Sequence, residues 1–299
     1  MRWKDQERSE NVEDERGMSA GPVMAVGGGI GTLIILIIAV LLGADPRQLL
    51  QQLPQNPPPG AGARAGGGAG AGGGPQEKGP VNPVEEEAAD FVSVVLKTTE
   101  DVWGEQFKLM GKTYQKPKMK LFSGQVVTEG CGNASAAVGP FYCPADSRVY
   151  LDVGFFEELR RRFKAPGEFA EAYVVAHEVG HHIQNLLGIS DKIDAMRRRV
   201  SKEEGNALSV RLELQADFLA GVWAHHVQKT KHLLEPGDLE SGLKAAQAIG
   251  DDKIQMQAQG YVRPDSFTHG SSEQRVRWFR KGFDTGDINQ GDTFNTNPL

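Results

Sequence analysis

Apolar and polar positions divide the chain into four regimes. Residues 1–21, MRWKDQERSENVEDERGMSAG, mix both signs of charge without an apolar period, which predicts a short solvated tail. Residues 22–43, PVMAVGGGIGTLIILIIAVLLG, carry no charge. Roughly 20 apolar residues suffice to cross a bilayer as a helix, so a transmembrane helix is predicted there. Residues 44–85 are rich in Gly, Ala and Pro and read as a disordered linker, because such a composition cannot bury a core. A globular domain is predicted over residues 86–299.

Within that domain the spacing predicts mostly helices. Over 84–111, Phe91, Val94, Val95, Thr98, Val102, Trp103 and Phe107 recur at helical intervals behind an acidic first turn. KPKMKLFSG (116–124) and SRVYLDV (147–153) read as short strands, the second with Val149 and Leu151 alternating against Tyr150 and Asp152. Further helices are predicted over 154–163, 170–188, 206–229, 238–250 and 271–283. Gly188 marks the stop of the second of these. The class is α+β, mostly helical with a small sheet.

Charge adds orientation. Arg2, Lys4, Arg8 and Arg16 precede the apolar run, whereas only Arg47 and Arg64 follow it within about 20 residues. The excess predicts a cytoplasmic N-terminus, a single pass through the cell (inner) membrane, and a periplasmic or extracellular domain. A cleaved signal peptide is the weaker reading, since the run is long and LLGADPRQ offers no A-x-A site. The formal charge of −6 argues against a nucleic-acid partner. Two cysteines, Cys131 and Cys143, are expected to pair as a disulfide if the domain is external. The oligomeric state is left open.

The chemistry concentrates in AEAYVVAHEVGHHIQNLLG, residues 170–188. Its apolar residues predict burial, yet it carries His177, Glu178, His181 and His182. Burying such groups unpaired costs several kcal/mol. His177 and His181 are four apart, one helical turn on one face, so both can meet one zinc ion. Glu178, to the side of the pair, can serve a water there as general base: the H-E-x-x-H arrangement. A third ligand is needed. In RLELQADFLAGVWAHH, Glu213 and Asp217 are four apart on an apolar helix. Either Glu213 ligates with Asp217 behind a histidine N–H, or Asp217 ligates. His225, His226 and His232 are weaker candidates.

These stretches resemble a family. MRWKDQERSENVEDERG, CGNASAAVGPFYCPADSRVYLD, FAEAYVVAHEVGHHIQNLLG, RLELQADFLAGVWAHH and DSFTHGSSEQRVRWFRKGF are similar, in order, to the bacterial membrane-anchored neutral zinc metallopeptidases. The resemblance implies a zincin-like domain with the strand VYLD beside the active-site helix. It also implies Glu213 as third ligand with Asp217 behind it. THGSSEQR is similar to a His…Arg element of membrane peptidases, which implies His269 as oxyanion stabiliser with Arg275 supporting it. In one respect the chain departs from the family: Phe218 and Gly291 stand where many relatives carry Cys, which puts the order of the C-terminal tail in question.

The expected activity is hydrolysis of peptide or protein substrates with Zn2+ as cofactor. His177, His181 and Glu213 would hold the metal, Glu178 and His269 would be catalytic, and residues 22–43 would meet the lipid bilayer. The alternatives are a non-catalytic scaffold stabilised by zinc, and an amidase acting on a non-peptide or cell-wall link.

Overall fold

The computed structural model describes residues 1–17 and 82–299. The expected transmembrane helix, and the expected linker as far as residue 81, lie outside the described residues. Among the described residues no helix is long and apolar enough to cross a membrane.

Helix starts follow local chemistry. Helix α1 (Pro83–Leu109) opens with the Asn82 side chain accepting the Val84 N–H, a proline in its first turn, and Glu85 and Glu86 at its positive end. After it come strand β2 (Lys118–Phe122), the two-stranded ribbon β3 (Gln125–Val127) and β4 (Asn133–Ser135), then β5 (Phe141–Cys143) and β6 (Arg148–Asp152). Helices α2 (Phe155–Arg161), α3 (Glu168–Leu186), α4 (Ile189–Arg197) and α5 (Lys202–Lys231) follow. The chain closes with α6 (Asp238–Ala248), α7 (Asp251–Gln259) and α8 (Ser272–Thr285). Capping boxes at Ser201/Glu204 and Ser271/Gln274 set the starts of α5 and α8. The first of these begins α5 four residues before the expected 206. Gly188 takes a left-handed φ of 71° just past α3, as the stop signal required.

The mostly helical α+β class holds. One four-stranded sheet has the order β1-β2-β6-β5, where β1 is Val12–Asp14. β1 runs parallel to β2 and β2 parallel to β6; β5 pairs antiparallel with β6. Cys131 and Cys143 form the expected disulfide, joining the loop before β4 to the end of β5.

The solvated tail is corrected. Residues 1–17 are bound to the domain along their length. Trp3 is 5% exposed, stacks edge-on against Phe91 and donates its indole N–H to Glu168 Oε1 at 2.9 Å. Ser9 Oγ and Asn11 Nδ2 both donate to the buried Glu100 carboxylate. Asn11 O accepts the Met119 N–H, and the Glu15 N–H donates to Leu121 O, so β1 adds to the sheet by full main-chain pairing. Arg16, 1% exposed, forks onto Asp14 and donates to Glu85 O at 2.6 Å. The mixed charges concealed this. They meet complementary charges on α1, with Lys4 on Glu87 and Arg8 on Asp90, so no apolar period is needed to hold the segment.

The helical layer is built on close backbone approach at two crossings. Gly180 of α3 faces Ala216 of α5: a Cβ there would stand 3.0 Å from Ala216 O. Gly221 of α5 and Gly282 of α8 face each other's backbones so closely that a Cβ on either would lie about 2 Å from a carbonyl oxygen. Phe169, Tyr173, Phe218, Trp223 and Phe279 fill the space around these crossings, all fully buried. The C-terminal tail is ordered with Phe218 and Gly291 at the two positions where the resemblance implied cysteines. Gly291 abuts the Phe218 ring, its carbonyl accepts from Gln215, and Arg211 donates to the Thr293 and Thr296 carbonyls.

Candidate metal centre

The crossing at Gly180 brings α3 against the stretch of α5 that holds Glu213 and Asp217. His177 Nε2 lies 3.1 Å from Glu213 Oε2, and His181 Nε2 lies 3.5 Å from Glu213 Oε1. The two rings meet edge to face at 4.8 Å. One ligand atom from each of His177, His181 and Glu213 can be chosen so that all lie within 4.8 Å of one another, a spacing that could hold a metal ion.

The other ring nitrogens are already engaged. His177 Nδ1 is 2.9 Å from Asp217 Oδ1, and His181 Nδ1 is 2.9 Å from Gln184 Oε1. The Gln184 amide is itself oriented by donating to Leu212 O and Gln215 Oε1. With Nδ1–H donating to an oxygen, each neutral ring turns an Nε2 lone pair toward the Glu213 carboxylate. Acceptor then faces acceptor in a partly buried place, so a cation is required between them, either a proton or a metal. This donor set of two imidazoles and one carboxylate fits zinc.

Asp217 is fully buried and saturated. It accepts from Arg275 Nε at 2.9 Å, Arg275 Nη2 at 3.0 Å and Tyr173 OH at 2.5 Å besides His177. That leaves it no place among the ligand atoms and puts it behind His177. Burial drives its acidity down, but Arg275 and His177 outweigh that and hold its pKa below the ordinary value. Burial likewise disfavours the His177 cation, yet Asp217 and Glu213 overcome it and the ring is pushed up to about 10 without a metal. Glu178 moves the other way: burial raises its pKa, although His181 and His177 oppose it.

Glu178 and His269 share with the three ligand candidates a cleft of about 560 Å³, which Val138, Phe141, Phe155 and Phe163 also line. Arg275, which the resemblance sets in support of His269, donates to Asp217, Tyr173 OH and Ile249 O. Asp251 holds His269. Its Oδ2 accepts the N–H groups of Thr268, His269 and Gly270, and its Oδ1 lies 3.3 Å from His269 Nδ1. Sequence reading missed Asp251 and Tyr173. An Asp at a helix start reads as a cap, and a Tyr on an apolar helix reads as core. The remaining histidines are structural. His182 bridges Tyr142 OH and Gln115 O, His225 meets Phe283 O, and His226 meets Gly286 O. His232 sits at the left-handed end of α5.

Comparison with known proteins follows the same lines. The chain is similar to Uncharacterized protein YpfJ of Escherichia coli (strain K12), 47% identical over 302 residues that cover 98% of this chain and 99% of the relative. It is also similar to Uncharacterized protein Rv2575 of Mycobacterium tuberculosis (strain ATCC 25618 / H37Rv), 49% identical over 197 residues, 62% of this chain and 65% of that one. No solved structure matches it. The family described as "Putative neutral zinc metallopeptidase" matches residues 1–294, tail and cleft together, and the chain belongs to this zinc metallopeptidase family.

Proposed function

We propose that the domain is a zinc-dependent peptidase of zincin-like architecture, with His177, His181 and Glu213 holding the metal. One observation carries the reading: a single half-buried carboxylate spans the Nε2 atoms of both histidines while both Nδ1 atoms are engaged elsewhere. Bound zinc would supply Lewis acidity, polarising a carbonyl and acidifying water.

The chain's own residues do the rest. Glu178, with a carboxyl that burial makes more basic than usual, takes the proton of the attacking water and returns it to the leaving amine. His269, aimed by Asp251, donates to the carbonyl oxygen as charge develops on it. Asp217 fixes the tautomer and plane of His177, and Arg275 with Tyr173 fixes Asp217. The apolar residues lining the cleft, Val138, Phe141, Phe155 and Phe163, favour substrates with apolar side chains. A scaffold that used zinc for stability alone would have no use for an acid such as Glu178 in the cleft.

Glu178→Gln tests the assignment. The variant is expected to keep zinc at wild-type stoichiometry and to lose about 10²–10⁴-fold in turnover of an unfolded protein or peptide substrate. Undiminished turnover rejects Glu178 as base. Absence of zinc from wild-type protein after purification and reloading rejects the site.

A further inference from the structure

The placement of residues 1–17 conflicts with the membrane arrangement expected from charge. A helix over 22–43 crossing once would leave the tail and the domain on opposite faces of a bilayer. Here the tail is part of the domain. β1 is hydrogen-bonded into the sheet beside β2, Trp3 and Arg16 are buried against α1, and Glu100 receives Ser9 and Asn11. Exchange of tails between two copies does not remove the conflict, because each copy's tail would still lie across the bilayer from both domains.

Two crossings would return the chain to the starting face, but two helical spans need about 40 apolar residues. The uncharged run is 22–43 alone. The residues after it include Asp45, Arg47, Arg64, Glu77 and Lys78, and many prolines and glycines. We therefore infer that residues 1–17 and 82–299 share one face of any membrane to which the chain is attached.

Accessibility in intact cells tests this on the full chain. Glu10→Cys and Lys112→Cys change exposed residues of the tail and of the domain. Each is made separately and treated with a membrane-impermeant maleimide before and after permeabilisation, with the parent protein as background. The two sites are expected to gain label together, both before or both only after permeabilisation. Label on one before permeabilisation and on the other only after it overturns the inference. A second measurement uses the Arg8–Asp90 pair, whose side chains meet at 2.8 Å. Arg8→Cys combined with Asp90→Cys is expected to cross-link in isolated membranes with a short bis-maleimide, whose arms replace the reach of the arginine side chain, and to shift gel mobility. Loss of the cross-link, with each cysteine reactive when tested alone, also overturns it.

Discussion

At the scale of single residues the centre works by removing choices. His177 has its Nδ1 claimed by Asp217, so only Nε2 is left for a cation. Asp217→Asn keeps the shape but offers a weaker acceptor, and it is expected to lower zinc affinity about 10–100-fold, read by competition with a chromophoric chelator. Asp217→Asn also leaves Arg275 buried beside a neutral partner, so some loss of stability accompanies it. The proton on His177 gives a separate test. Its folded pKa of about 10 exceeds the ordinary 6.5. In metal-free protein its stabilising contribution is therefore complete below pH 6.5 and is lost as pH rises toward 10. Metal-free protein is expected to melt progressively lower across that window, whereas zinc-loaded protein is not, since the metal has replaced the proton. Over the same window zinc affinity rises about tenfold per pH unit for each proton displaced. Melting curves and titrations from pH 6.5 to 9.5 check both signs.

At the scale of elements, function depends on how closely α3 and α5 approach. A Cβ at 180 would already stand 3.0–3.3 Å from atoms of Ala216. Gly180→Val is expected to destabilise by about 1–3 kcal/mol through overpacking and to weaken zinc binding as well, because Glu213 moves away from both imidazoles. Gly180→Ala is expected to do the same more mildly. These helices were legible in the sequence because each has a long apolar run broken only by the residues of the site. The i, i+4 spacings of His177/His181 and Glu213/Asp217 were legible for the same reason. Other parts were not. β1, β3, β4 and β5 are three residues each, too short to show an alternation. Helix α7, DDKIQMQAQ, has a single buried residue past its first turn, Gln255, and so lacks an apolar face. Asp251 and Tyr173 acquire their roles only from partners 18 and 44 residues distant, which no local pattern can announce.

At the scale of the whole molecule, zinc and the N-terminal segment are both predicted to act as staples. Removing zinc with a chelator is expected to lower the melting temperature in a way that free metal reverses, with about 2.7 kcal/mol recovered at a metal concentration 100 times Kd. Trp3→Ala opens a hole between α1 and the start of α3 and is expected to cost about 3–5 kcal/mol, measured by denaturant unfolding. A residue from the expected tail would then rank among the stability-determining positions of the domain.

The pairing of β1 with β2 has a practical corollary for anyone producing the protein. It is tempting to begin expression after the glycine-rich stretch, where the apparent domain starts. Such a shortened chain would present the main-chain donors and acceptors of Lys118–Phe122 as a bare strand margin, which invites a neighbouring molecule to supply the missing strand. Clumping of that product, cured by adding residues 1–17 back as a separate peptide, would trace the fault to an unfilled seat in the sheet rather than to a misfolded enzyme.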